Sequence, residues 1–121
     1  MKILVLCNQG NVRSACLARE IKDLNGALHS TDKEIIKKWI KNEAIAIGAH
    51  ANSEETIQYF CNWADLVIDL SDNDKRIQQM LQEYSENKYI RFDIGGDRWG
   101  NPFHPELRKM CQEIMHELKI K

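Results

Sequence analysis

Short unbroken apolar runs alternate along the chain with stretches in which apolar residues recur every three or four positions. Ile3, Leu4, Val5 and Leu6 form the first run and predict a strand buried on both faces. Leu17, Ile21, Leu24 and Leu28 come next at helical spacing and predict one apolar helix face. Thr31-Asp32-Lys33-Glu34 has the form of a capping box and opens a second helix carrying Ile35, Ile36, Trp39 and Ile40. Residues 44–48 are the next strand candidate, and Ser53 is placed to cap a helix with Ile57, Phe60 and Cys61. Leu66, Val67 and Ile68 predict a third strand. Ser71-Asp72-Asn73-Asp74 reads as a helix start ahead of Ile77, Met80, Leu81 and Tyr84. Tyr89-Ile90-Arg91-Phe92 alternates more and predicts a fourth strand at a sheet edge. A loop with Gly95, Gly96, Gly100 and Pro102 then leads to a last helix carrying Leu107, Met110, Cys111, Ile114 and Leu118.

Strands alternating with helices predict an α/β fold, a three-layer sandwich with a four-stranded parallel sheet and helices on both faces. No repeat or Pro/Gly-rich linker interrupts the pattern, so residues 1–121 are read as a single domain. In such sheets ligands bind beyond the carboxyl ends of the strands, where the strand order reverses. Cys7 ends the first strand, and Asp93 and Asp97 come after the fourth. These residues are therefore expected on one edge of the sheet.

A formal net charge of −1 over 121 residues gives no bulk attraction to nucleic acid or anionic membrane, and neither is expected as a partner. The apolar run near the N-terminus is far too short for a signal or a membrane span, which predicts a cytoplasmic protein. The four cysteines, Cys7, Cys16, Cys61 and Cys111, show no paired spacing. Zinc-ribbon and thioredoxin-type sites are not indicated, and Cys16, Cys61 and Cys111 read as small core residues. Cys7 is set apart by its neighbours in the chain.

The segment Cys7-Asn8-Gln9-Gly10-Asn11-Val12-Arg13-Ser14 lies directly between the first strand and the first helix. A loop of this length can curl so that successive backbone N–H groups point at one anion, and the helix start adds its own N–H groups and dipole. Gly10 permits the torsions such a curl needs, and Arg13 offers a planar fork of donors to phosphate oxygens. The same field favours the thiolate of Cys7, the form that attacks phosphorus. Ser14 is placed to donate a hydrogen bond to that sulfur. Asn8, Gln9, Gly10, Asn11, Val12 and Ser14 are thus the candidates for holding a phosphate beside the nucleophile Cys7 and the clamp Arg13. The plain alternative is a cysteine ending a buried strand and a solvated helix arginine.

The loop resembles the Cys-x5-Arg-Ser loop of Cys-based phosphatases. Its early position, with a candidate acid far downstream, is similar to the low-molecular-weight protein tyrosine phosphatases. Ala46-Ile47-Gly48-Ala49-His50-Ala51 resembles that family's Ser-Ala-Gly segment, Trp63-Ala64-Asp65-Leu66-Val67 its Trp-Ala-Asp-containing third strand, and Asp97-Arg98-Trp99-Gly100-Asn101 its Asp-Pro-aromatic acid loop. The region from 93 to 107 also resembles a smaller branch of bacterial tyrosine phosphatases. The resemblance implies hydrolysis of a phosphate monoester, on a phosphorylated protein or a small aryl phosphate, through a phosphocysteine and without metal or cofactor. Asp97 is then the general acid, with Asp93 as competitor, and Trp99 a pocket wall; alternatively Trp99 covers a loop–helix junction. Several positions depart from the pattern. Val12 stands where the family has a second loop cysteine, leaving Cys16 as a substitute for redox protection. Ala15 replaces a proline, Ala46 a serine that braces the loop, and Arg98 the proline after the acid. The alternatives are an arsenate reductase-like enzyme, a IIB-type phosphocarrier and a catalytically weak phosphate-binding module. Oligomeric state is left open. His29, His50, His104 and His116 lack metal-ligand spacing, and His104 reads as a helix-start residue.

Overall fold

The computed structural model describes residues 2–9, 12–23, 43–72, 74–95, 99 and 101–120. The first apolar run becomes β1 (Lys2–Cys7), in which residues 3 to 6 are wholly buried. The later runs form β2 (Glu43–Gly48), β3 (Leu66–Asp69) and β4 (Tyr89–Arg91). All pairings are parallel, in the order β2-β1-β3-β4. The shortest strand, β4, lies at an edge as its alternation predicts.

Four helices are described: α1 (Arg13–Asp23), α2 (Glu54–Trp63), α3 (Lys75–Ser85) and α4 (Pro105–Ile120). The alternation of side chains along each strand divides the core into two layers. Ile3, Val5 and Ile68 face Leu17 and Ile21 of α1 and Leu107, Cys111 and Ile114 of α4. Leu4, Leu6 and Val67 face Ile57 and Cys61 of α2 and Ile77 and Leu81 of α3. The expected three-layer sandwich is the fold that forms. The predicted helix opened by Thr31 lies outside the described residues.

Polar residues fix the helix starts. Ser53 accepts from the Thr56 amide at 3.2 Å. Asp74 accepts from the amides of Arg76 and Ile77 at 3.0 and 3.4 Å, so it caps the helix that the 71–74 segment predicts. His104 Nδ1 accepts from the Glu106 amide at 3.3 Å, and Pro105 takes the first helical position, where its missing N–H costs nothing. His104 is thus a helix-start residue, as the sequence indicates. Because β1 lies between β2 and β3, the chain leaves it first to one side and then to the other. The carboxyl end of β1 is therefore the point of reversal, where a crevice opens.

Candidate active site

Cys7 is the last residue of β1, and Arg13 and Ser14 open α1. All three are buried, at 2%, 1% and 0% exposure. Cys7 Sγ and Ser14 Oγ are 3.2 Å apart, so the hydroxyl is within reach of the sulfur it was expected to serve. The intervening loop is held down by β2 and its continuation. The Ala49 amide donates to the Cys7 carbonyl at 2.8 Å and the His50 amide to the Asn8 carbonyl at 2.9 Å. Gln9 crosses directly over Gly48. A Cβ there would run into the Gln9 carbonyl and stand 2.8 Å from its Cα. Glycine is required at this position by close approach rather than by a turn.

A buried arginine needs its donors satisfied, and Arg13 meets this requirement unevenly. Nη1 donates to the Leu70 carbonyl at 3.1 Å, to Asp72 Oδ1 at 2.8 Å and to the Gly95 carbonyl at 3.1 Å. Nη2 donates to Asn8 Oδ1 at 2.8 Å. That same oxygen accepts from the Asp72 amide at 2.8 Å. Asn8 thereby ties the phosphate-loop candidate to the segment after β3. Among the described residues, the buried Nε has no hydrogen-bond partner. The guanidinium is anchored through Nη1, while the neighbouring Nε–Nη2 edge retains donor capacity. This is the edge that binds a tetrahedral anion with two parallel hydrogen bonds.

The segment carrying Leu70 and Asp72 is itself fixed from below. Asp69, wholly buried, accepts from the Ser71 amide at 2.9 Å, from Ser71 Oγ at 2.5 Å and from the Tyr89 hydroxyl at 2.6 Å. Arg91 Nη2 donates to the Ser71 carbonyl at 3.0 Å. The Leu70 amide continues the β1–β3 ladder to the Leu6 carbonyl at 2.7 Å.

The other predicted site residues divide. Val12 packs against the core beneath α1. Gly10, Asn11, Asp97 and Arg98 lie outside the described residues. Asp93 is exposed and accepts from the Gly95 amide at 3.1 Å. It thereby shapes the turn that brings the Gly95 carbonyl to Arg13. Trp99 is 4% exposed and belongs to the core cluster of α1 and α4. Its ring meets His104 edge-on at 5.2 Å. The exposed aromatic of this segment is Phe103. The Cys16 sulfur lies 3.4 Å from that of Cys111.

Asp72, Gly48 and the carbonyls of Leu70 and Gly95 escape the sequence reading as site elements. Asp72 carries a helix-start signal that hides its contact with Arg13. A glycine closing an apolar strand was the available sign of close approach. Beside the loop, a cleft of about 340 Å³ lies between the turn after β2 and α3, with His50, Glu54, Asp74, Arg76 and Met80 among its walls. Among the described residues no helix is long and apolar enough to cross a membrane.

The architecture defines a class: a parallel α/β sandwich with a Cys-x5-Arg-Ser loop at the point where strand order reverses. Within it, the fold is similar to that of the YwlE arginine phosphatase. A mutant of that enzyme with a phosphorylated active-site serine matches with a TM-score of 0.59 at 15% identity, over 98% of this chain and 96% of that one. A YwlE mutant from Bacillus subtilis gives 0.57 at 14% identity, over 98% and 99%. YwlE from Geobacillus stearothermophilus gives 0.54 at 13%, over 98% and 93%. At these identities the likeness is one of fold, and it agrees with the fold implied by the loop's resemblance to low-molecular-weight phosphatases. No protein-family model and no curated protein matches the chain.

Proposed function

We propose that the chain is a Cys-based phosphatase that hydrolyses a phosphorylated substrate through a phosphocysteine at Cys7. The observation that carries this reading is Arg13. It is buried and anchored on three acceptors through Nη1, with Nε unpartnered among the described residues beside the Cys7–Ser14 pair. An anion seated beside the Nε–Nη2 edge would supply the missing acceptor.

Cys7 thiolate attacks phosphorus in line, forming the S–P bond as the bond to the leaving group breaks. Arg13, the loop amides and the start of α1 hold the phosphoryl oxygens and the charge they carry. Asp97 protonates the leaving oxygen. Its carboxylate then takes a proton from the water that attacks phosphorus, and inorganic phosphate departs as sulfur leaves. The Ser14 hydroxyl stabilises the departing thiolate. Gly95, which touches Arg13, stands two residues before Asp97. Two peptide units span at most about 7.6 Å between Cα atoms, and this short tether to an Arg13 contact supports the choice of Asp97 as the acid. Asp93 is the weaker candidate because its carboxylate already closes a turn.

The substrate proposed from the resemblance is an aryl phosphate such as phosphotyrosine. Phosphoarginine is the second reading, favoured by the activity named for the proteins that share this fold. Both present a phosphoryl group and differ in the leaving atom, oxygen or nitrogen. Parallel assays with phosphotyrosine and phosphoarginine peptides decide between them by kcat/KM. Cys7→Ser is expected to abolish turnover of either, and Asp97→Ala to lower it. A neutral Asp97→Ala would transfer the acid role to Asp93. Phosphate binding without turnover by the reduced native protein would overturn the hydrolase reading.

A further inference from the structure

Two of the cysteines that read as core residues meet across a helix seam. Cys16 lies on α1, three residues after Arg13, and Cys111 lies on α4. Their exposures are 1% and 0%, and the Cys111 thiol donates toward Cys16 Sγ at 3.4 Å. One turn further along α1, Glu20 accepts from Arg108 Nε at 2.9 Å. Cys16 and Glu20 are four residues apart, and Arg108 and Cys111 three apart, so each pair shares a helix face. The ion pair and the thiol pair therefore hold the same two helices together side by side. Cys61 belongs to the cluster on the other face of the sheet and does not compete as a partner.

We propose that Cys16 and Cys111 are a redox-active dithiol that a hydroperoxide closes to a disulfide across α1 and α4. The reaction balances in two steps. Cys16 sulfur attacks the peroxide oxygen, the O–O bond breaks, and Cys16 sulfenic acid and an alcohol (or water) are formed. Cys111 sulfur then displaces water from that sulfenic acid, forming the S–S bond. Two thiols lose two electrons and the peroxide gains them. Sulfur atoms bonded in a disulfide stand about 2.05 Å apart, so the pair must close by about 1.4 Å.

The hydrogen bond between the two sulfurs favours one order of events. The hydrogen bond from Cys111 draws the Cys16 thiol below its ordinary range, aided by Arg108 and Arg19, while burial and Glu20 oppose it. Cys111 is pushed up by donating that hydrogen bond, by burial and by the charges of Cys16 and Glu20. With Cys111 donating, this polarity favours Cys16 as the sulfur that attacks first and Cys111 as the one that resolves. Because both are buried, oxidation proceeds at the pace at which the seam opens.

Hydrogen peroxide is the probe. The native protein is treated at neutral pH, denatured in alkylating agent and digested. The expected product is a peptide pair joined through Cys16 and Cys111, reversed by dithiothreitol and missing from Cys111→Ser. It should form equally in Cys7→Ser, which separates this pair from nucleophile chemistry and from the phosphatase reading. Recovery of both cysteines alkylated after Cys7 has been consumed would overturn the proposal. So would a product joining Cys16 to Cys7, or linkage found only after unfolding. Should Cys111→Ser fail to fold by circular dichroism, the product map of the native and Cys7→Ser proteins still decides.

Discussion

Arg13 shows how few atoms carry the site. Its charge is nearly shut away from water, and its orientation is set by acceptors from three separate segments, at Asn8, at 70–72 and at Gly95. Lysine at this position keeps the charge but loses the planar fork. Arg13→Lys should lower kcat/KM by about 100-fold or more, the scale seen when a fixed transition-state donor is removed. Inorganic phosphate binding, measured by calorimetry, should weaken with it. Unchanged phosphate affinity would place the anion elsewhere. At this scale the sequence was legible wherever the chemistry is local. Cys7, Arg13 and Ser14 lie within eight residues, and their spacing carries the message. Asp72 reaches Arg13 across 59 positions, and no spacing rule links residues so far apart. Trp99 illustrates the opposite limit. An aromatic after an acid suits a pocket wall and a core plug equally, and only packing distinguishes them.

Among the elements, β2 does more than extend the sheet. Gly48 allows the loop after β1 to lie directly on its end, and the amides of Ala49 and His50 fasten that loop through the Cys7 and Asn8 carbonyls. Gly48→Ala should push the Gln9 backbone outward. The expected cost in stability is about 1–3 kcal/mol, as for other overpacked sites, read from denaturant midpoints. The loss of turnover should be out of proportion to that cost, because the displaced amides are those proposed to hold phosphate. A variant as active as the native protein would show that the loop tolerates displacement. The strands and the helix starts at Ser53 and His104 were readable, since burial on both faces and polar caps leave plain local patterns. Which polar residue of 71–74 became the cap was not readable. Ser71 is drawn to Asp69 instead, which leaves Asp74 to cap α3.

Across the whole molecule, the buried carboxylate of Asp69 links β3, β4 and the segment that anchors Arg13. The Tyr89 hydroxyl is one of its donors. Burial, this hydrogen bond and the charge of Asp69 together push the Tyr89 phenol above its ordinary range. An unfolded chain releases that proton near pH 10, whereas the folded chain retains it. The contribution to stability is therefore complete below about pH 10 and declines as pH rises beyond it. Cys61, also pushed up by burial, adds a similar decline that begins lower. Comparing denaturant midpoints at about pH 8 and about pH 10.5, Tyr89→Phe should lose less on going alkaline than the native protein. It should nevertheless be less stable at the lower pH, where Asp69 lacks a donor. An equal alkaline loss in both proteins would remove Tyr89 from this role. The sandwich as a whole was legible because alternating strands and helices admit few layer arrangements. The sheet order, with β1 between β2 and β3, depends on contacts distant in sequence and emerged only in the fold.

The most direct measurement is a rapid-quench experiment with para-nitrophenyl phosphate and the reduced protein. A burst of nitrophenolate equal to the enzyme, with a phosphoryl group recovered on the Cys7 peptide, is the predicted result. Cys7→Ser should release no nitrophenolate burst. Nitrophenolate release with no phosphoryl adduct on Cys7 and undiminished in Cys7→Ser, or no release at all, would contradict the assignment of Cys7 as nucleophile.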